Sequence, residues 1–179
     1  PRPFSGGAWE IVRRLIHTSG DFAVMDQVRL HPQAVEAGVA ALRNGCTVVT
    51  DTEMARVGMP ERRLMPLGSR AVCLLNDPAV AELAQERGIT RTAAAVDAAL
   101  EGRSVLFRHG LEGCIVAIGN APTALLRLLE RLEQGATPPS LIVGMPVGFV
   151  LAAESKQCLV ERAPAPYVTI EGRKGGSPL

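Results

Sequence analysis

Five short stretches constrain the fold most. Residues 47–50, 71–75, 115–118, 141–143 and 167–170 are rich in β-branched and aliphatic side chains and do not alternate with polar ones. A strand with one wet face alternates; a strand buried on both faces does not. Helical segments with clear punctuation separate these runs. His31-Pro32 opens one and Asn44-Gly45 closes it; Asp77-Pro78 opens a second that ends at Gly88. Thr90 caps a third that ends near Gly102, and Pro122 opens a fourth that ends at Gly135. Strands buried on both faces and alternating with helices predict an α/β fold. The expected form is a doubly wound, mainly parallel sheet of about five strands with helices on both faces. The 179 residues suit one domain, 1–179, large enough to bury a core without disulfide or metal staples. The ends, 1–7 and 172–179, are expected to be the least ordered parts.

Charge narrows the function. Nineteen Lys and Arg against eighteen Asp and Glu leave a net charge of +1. No overall electrostatic footprint for nucleic acid or a membrane surface exists, so any affinity for anions must be local. Four Phe, one Tyr and one Trp are too few and too scattered to stack bases. Cys46, Cys73, Cys114 and Cys158 have no CxxC or His-paired spacing. They read as small buried hydrophobes in a reducing cytoplasm, not as a zinc site or disulfide frame. No signal peptide is visible, and the uncharged run 136–153 is broken by Pro and Gly, so no membrane span is expected.

In a doubly wound sheet, ligands collect beyond the carboxyl ends of the strands. Gly119-Asn120-Ala121-Pro122-Thr123 joins a strand to a helix start, which is either an anion site or an ordinary capped turn. Gly144-Met145-Pro146-Val147-Gly148, with Glu154, Ser155 and Lys156 on the next helix, offers the same choice between anion site and packing turn. Gly172-Arg173-Lys174-Gly175-Gly176-Ser177 is the most basic short loop. It suits a carboxylate or phosphate, or is a frayed polar tail. Neither a GxxxxGK[ST] loop nor a GxGxxG fingerprint occurs, which counts against a nucleotide-binding domain. His17 follows the amphipathic segment 9–16 and can exchange a proton near neutral pH. Thr18, Ser19 or Asp21 could orient its ring; the bland alternative is a solvent-facing histidine. His31 and His109 lie elsewhere, and no two histidines are spaced for a metal. Arg91, at a helix start, is unfavoured there by the helix dipole.

Seven stretches, in order, resemble the precorrin-8X methylmutase family, including its cobalt-precorrin-8 branch. They are Val12-Arg13-Arg14-Leu15-Ile16-His17-Thr18-Ser19-Gly20-Asp21-Phe22, Val49-Thr50-Asp51-Thr52-Glu53-Met54 and Thr90-Arg91-Thr92-Ala93-Ala94. The others are Ile118-Gly119-Asn120-Ala121-Pro122-Thr123-Ala124-Leu125, Val143-Gly144-Met145-Pro146-Val147-Gly148-Phe149, Ala153-Glu154-Ser155-Lys156 and the loop from Gly172 to Ser177. The resemblance implies an isomerase that moves a methyl group between neighbouring carbons of ring C. It would convert precorrin-8X to hydrogenobyrinic acid, or cobalt-precorrin-8 to cobyrinic acid, in cobalamin biosynthesis. It implies no metal or organic cofactor, a cytoplasmic homodimer, and a tetrapyrrole substrate fringed with carboxylates. By resemblance His17 is the general acid and Arg91 a substrate contact. Thr18, Ser19, Asn120, Ala121, Thr123, Gly144, Met145, Arg173 and Lys174 complete the expected binding set. The family's further N-terminal segment and C-terminal helical extension are expected to be absent from 1–179. A tetrapyrrole carrier without catalysis is the alternative reading.

Overall fold

The computed structural model describes residues 3–179. Its first half comprises α1 (Gly6–Ser19), α2 (Val24–Gln27), β1 (Val28–Leu30), α3 (Ala34–Arg43), β2 (Thr47–Thr50), α4 (Glu53–Gly58) and α5 (Glu61–Leu64). After a 3-10 turn come β3 (Arg70–Cys73), α6 (Pro78–Arg87), α7 (Arg91–Glu101), β4 (Ile115–Ile118), α8 (Pro122–Glu133), β5 (Leu141–Gly144), α9 (Ala152–Arg162) and β6 (Tyr167–Ile170). The strands form one sheet in the order β1-β6-β5-β4-β2-β3, parallel except for the antiparallel pairing of β1 with β6.

Two cores explain why the strands do not alternate. Val49, Val116, Ile118, Ile142 and Tyr167 face one cluster, which Leu83 of α6, Ala94 of α7, Leu125 and Leu128 of α8 and Leu159 of α9 complete. Val48, Ile115, Ala117, Leu141, Val168 and Ile170 face the other, under Val12 and Leu15 of α1 and Ala34 and Ala41 of α3. Successive side chains of a strand point to opposite faces, so each strand must be apolar throughout.

The sheet has six strands rather than about five. The additional one, β1, is three residues long with Arg29 at its centre. Its register, Val28 against Ile170 and Leu30 against Val168, comes from pairing with β6. A short edge strand carries no run long enough to read. The first punctuation signal also shifts: Pro32 sits in a turn ahead of α3, where Ala34 donates to the His31 carbonyl at 2.9 Å. The described residues of both ends take part in the packing. Gly6 and Gly7 open α1, and a Cβ on Gly7 would lie 2.6 Å from Val35 Cγ1, so α1 and α3 approach closely there. Pro1 and Arg2 lie outside the described residues. The C-terminal stretch folds back over the sheet, with Gly176 donating to the Met145 carbonyl at 2.9 Å.

Alanines on α7 (Ala93, Ala94, Ala95, Ala98 and Ala99) let α6 and α8 pack tightly on either side. Among them Asp97 is fully buried. It accepts from Arg87 of α6 at 2.5 Å and from Arg127 of α8 at 2.7 and 2.9 Å. Arg131 Nε stands 3.6 Å away, and Glu101 pairs with both Arg87 and Arg131. This cluster joins three helices on the face opposite α1.

The strand order reverses between β2 and β4. From β2 the chain moves outward to β3, then returns past β2 to β4. Connections leaving in opposite directions open a crevice at those strand ends.

Candidate functional site

Because β2 to β6 run in one direction, all five predicted strand exits gather at one edge of the sheet. At the crevice, Asp51 follows β2 and is buried. Its carboxylate accepts from the backbone N–H groups of Gly119 (3.0 Å), Asn120 (2.8 Å) and Ala121 (2.7 Å). The donors expected to bind an external anion at the start of α8 are therefore taken by a carboxylate of the chain itself. A helix start with converging N–H groups satisfies any anion that reaches it, and Asp51 is covalently placed to do so. Ser177 then crosses the crevice: Thr52 Oγ1 and Ser177 Oγ are 3.0 Å apart. A Cβ on Gly119 would lie 2.7 Å from Ser177 Cα, so only glycine admits that crossing.

The exit of β5 also serves packing. Gly144 is buried, and a Cβ there would meet Leu159 Cδ2 at 2.6 Å. The Met145 N–H donates to the Ile118 carbonyl at 2.7 Å. Gly144 and Met145 thus serve the packing of β5 against α9 and β4. Helix α9 starts only at Ala152, after Leu151 in the left-handed region at φ 62°.

Thr90, Thr92 and Thr123 form a triangle of hydroxyls at 3.0 to 3.2 Å. It ties the start of α7, where Thr90 accepts from Ala93 N–H, to the start of α8. Arg91 is the first residue of α7, between Thr90 and Thr92 in the chain. It is exposed and makes no ion pair or hydrogen bond among the described residues.

His17 stands on the last turn of α1, exposed and likewise without a bond among the described residues. None of the three neighbours expected to orient it does so. Ser19 Oγ donates to the Leu15 carbonyl at 2.8 Å and accepts from Asp21 N–H at 3.2 Å. Asp21 accepts from Ala23 N–H at 2.9 Å and pairs with Lys174. Thr18 is exposed. These groups instead finish the helix, which turns at Gly20 with φ 66°. Lys174, followed by the Ala23 N–H, holds the Asp21 carboxyl below the usual range. The pair brings the loop after His17 against the basic loop after β6. The other histidines lie at the opposite edge: His31 N–H donates to the Tyr167 carbonyl at 2.9 Å, and His109 shares a hollow with Cys46 and Cys114.

Arg173 in the basic loop is exposed, its Cζ 5.6 Å from the centre of the Phe149 ring. Phe149, Val150 and Phe22 are 85%, 77% and 79% exposed. Large apolar side chains this bare, flanked by cations, suit an apolar ligand with acidic substituents. An apolar cleft of about 550 Å³ runs along the α1 and α3 face, lined by Val35, Val39, Leu42, Val143, Met145 and Leu179. Among the described residues, no cluster of three or more His, Cys, Asp or Glu is arranged to hold a metal. Among them, too, no helix is long and apolar enough to cross a membrane.

Two residues of this edge lie in stretches that carry the resemblance but were not among the expected site residues. Asp51 is one, and its partners lie too far along the chain for its sequence neighbours to signal them. Lys156 had a clearer signal. It falls on the buried stripe of α9, Ala152, Ser155, Lys156 and Leu159, where a lysine is out of place. It is fully buried, and its Nζ donates to the Lys174 carbonyl at 2.5 Å. Burial pushes its ammonium down from 10.5 to about 8. The folded value lies below the unfolded one, so between them the unfolded chain holds the extra proton. Stability from this group therefore rises with pH across that window. Relative to Lys156→Met, the wild type is expected to gain up to about 1.4 kcal/mol per pH unit between about pH 8 and 10. Urea unfolding of both proteins at each end of the window checks this; a constant difference would contradict it.

The profile of the precorrin-8X methylmutase family matches residues 1–179. The precorrin-8X methylmutase of Pseudomonas aeruginosa is 46% identical over 167 residues, covering 93% of this chain and 76% of that one. The cobalt-precorrin-8 methylmutase of Leptospira interrogans is 38% identical over 184 residues, covering all of this chain and 81% of its own. The solved precorrin-8X methylmutase of Thermus thermophilus superposes with a TM-score of 0.86 at 43% identity, over 99% of this chain and 83% of that one.

Proposed function

The chain belongs to the precorrin-8X methylmutase family, and we propose that in this isomerase of cobalamin biosynthesis His17 is the general acid of the methyl shift. One observation carries the assignment. Of the chain's three histidines, His17 alone stands at the carboxyl edge of the sheet, beside the basic loop. The family's substrate is a corrin-precursor tetrapyrrole. In this reading its acetate and propionate groups meet Arg91, Arg173 and Lys174, and its macrocycle lies on Phe149, Val150 and Phe22. Thr18, Asn120 and Thr123 supply neutral hydrogen-bonding groups at the rim. Ser19, Ala121, Gly144 and Met145 shape the site through the backbone and packing described above, within one domain over 1–179.

The imidazolium protonates the conjugated system near ring C, which makes it electron-poor. The methyl group moves with its bonding pair to the neighbouring carbon. Loss of a proton from the rearranged framework restores the imidazole's charge, so substrate and product are isomers. Geometry contributes as much as acidity, because the ring must be held where the proton is delivered. The test is conversion of precorrin-8X by His17→Ala; wild-type turnover would end the assignment.

The reading extends to a cytoplasmic homodimer. Buried, unpaired Cys46, Cys73 and Cys114 agree with a reducing compartment. A second copy of the chain suits the bare apolar patch of Met54, Val57 and Met65, which are 64%, 65% and 66% exposed. Sedimentation is expected to show a dimer for the wild type and mainly monomer for Val57→Asp. A monomeric wild type would remove the dimer from the reading.

A further inference from the structure

Lys156 is a fully buried cation with no carboxylate paired to it among the described residues. Its ammonium has three donors, and among the described residues a single protein acceptor, the Lys174 carbonyl, meets it. Retaining a lysine at such a site costs stability, since a buried charge without a partner loses its hydration. An apolar residue would fill the same stripe of α9 more cheaply. The benefit must lie in what the ammonium holds.

What it holds leads to His17 in three steps. Lys156 fixes the main chain at Lys174. The Lys174 side chain pairs with Asp21. Asp21 in turn accepts from Ala23 N–H and donates its own N–H to Ser19 Oγ, two residues beyond His17. The neighbouring backbone leaves the loop little alternative. Gly148 N–H donates to the Arg173 carbonyl at 3.3 Å, and Gly176 N–H to the Met145 carbonyl. A Cβ on Gly175 would lie 2.3 Å from Met145 O. The loop that carries Arg173 and Lys174 is thus pinned at both flanks, and the Lys156 side chain holds its main chain at the centre.

We propose that Lys156 is a positioning residue of the methylmutase, fixing the Arg173–Lys174 turn and, through the Lys174–Asp21 pair, the loop that sets the place of His17. This deepens the reading of His17 as the acid and rests on it. Lys156 touches no substrate in this arrangement. Its depressed ammonium follows from the same burial and leaves it mostly charged at neutral pH.

The experiment is a double-mutant cycle on precorrin-8X turnover with Lys156→Met and Asp21→Asn, alongside His17→Ala. Lys156→Met and Asp21→Asn are each expected to lower kcat about tenfold, and the double variant no further than the worse single one. Lys156→Gln, which retains an N–H donor toward the Lys174 carbonyl, is expected to keep at least half of wild-type kcat. A wild-type kcat in Lys156→Met overturns the proposal, as do losses that multiply in the double variant. Should Lys156→Met not fold, Lys156→Gln and Asp21→Asn decide together: near-normal kcat in the first beside a tenfold loss in the second supports the proposal, and a tenfold loss in the first or a wild-type kcat in the second overturns it. Failure of the underlying reading looks different, because His17→Ala would then turn over normally whatever Lys156 does.

Discussion

His17→Ala is expected to lose about 10²- to 10⁴-fold in kcat, the range that a positioned general acid contributes. Product affinity is expected to change by less than about threefold, because truncating one exposed side chain leaves the cations and apolar platform in place. The separation of the two effects is the informative part. His17 has no hydrogen bond or ion pair among the described residues, and it lies on the exposed side of α1. Its removal opens no cavity and strands no buried polar group, so the variant should fold and unfold as the wild type does. A fall in kcat at constant stability and constant product binding identifies a group used in the transition state. A parallel fall in binding would instead make His17 a substrate contact.

Asp97→Ala is expected to destabilise the fold by about 3 to 5 kcal/mol, the cost of removing one side of a buried charge cluster. For a chain of this size that lowers the melting temperature by roughly 10 °C. The side chain is wholly buried and accepts three hydrogen bonds from Arg87 and Arg127. Without it, these guanidiniums and Arg131 crowd together with Glu101 and the more exposed Glu130 as the remaining carboxylates paired to them among the described residues. Burial alone would raise the Asp97 pKa, but hydrogen bonds from Arg127 and then Arg87 outweigh it and the carboxyl stays below its ordinary value. A depressed folded pKa gives stability that is complete above the ordinary carboxylate range. It is lost as pH falls through the folded value. The gap between wild type and variant should therefore be constant near neutrality and close in acid. Calorimetry at neutral and acid pH reads both; a shift of only a degree or two would show that the cluster contributes little.

How much of this could be read beforehand varied by physical cause. The five parallel strands were legible because burial on both faces removes the polar alternation. The helix limits at Asp77, Thr90 and Pro122 were legible because caps and first-turn prolines are local. Strand β1 was not, since three residues around Arg29 take their conformation from β6 rather than from their own pattern. At the site, the stretch after Gly119 has the appearance of an anion cradle, and an anion does occupy it. That anion is Asp51, which lies 68 residues from Gly119 in the chain, so its arrival is a tertiary event. The basic loop from Gly172 to Ser177 could have been a tail by composition. Its order comes from contacts with Met145, Thr52 and Lys156, all distant in sequence. His17 was legible as a titratable group, whereas its isolation from Ser19 and Asp21 was not, because both neighbours satisfy the helix end first.

The most direct measurement mixes purified protein with precorrin-8X in a stopped-flow spectrophotometer and follows a single turnover. Wild type, His17→Ala, and His17→Ala with added imidazole are compared. The first absorption change, binding, is expected in all three. The second, formation of hydrogenobyrinic acid, is expected at once in the wild type, to be nearly absent in His17→Ala, and to return with imidazole. Product formation by His17→Ala at the wild-type rate without imidazole would contradict the assignment of His17 as the acid.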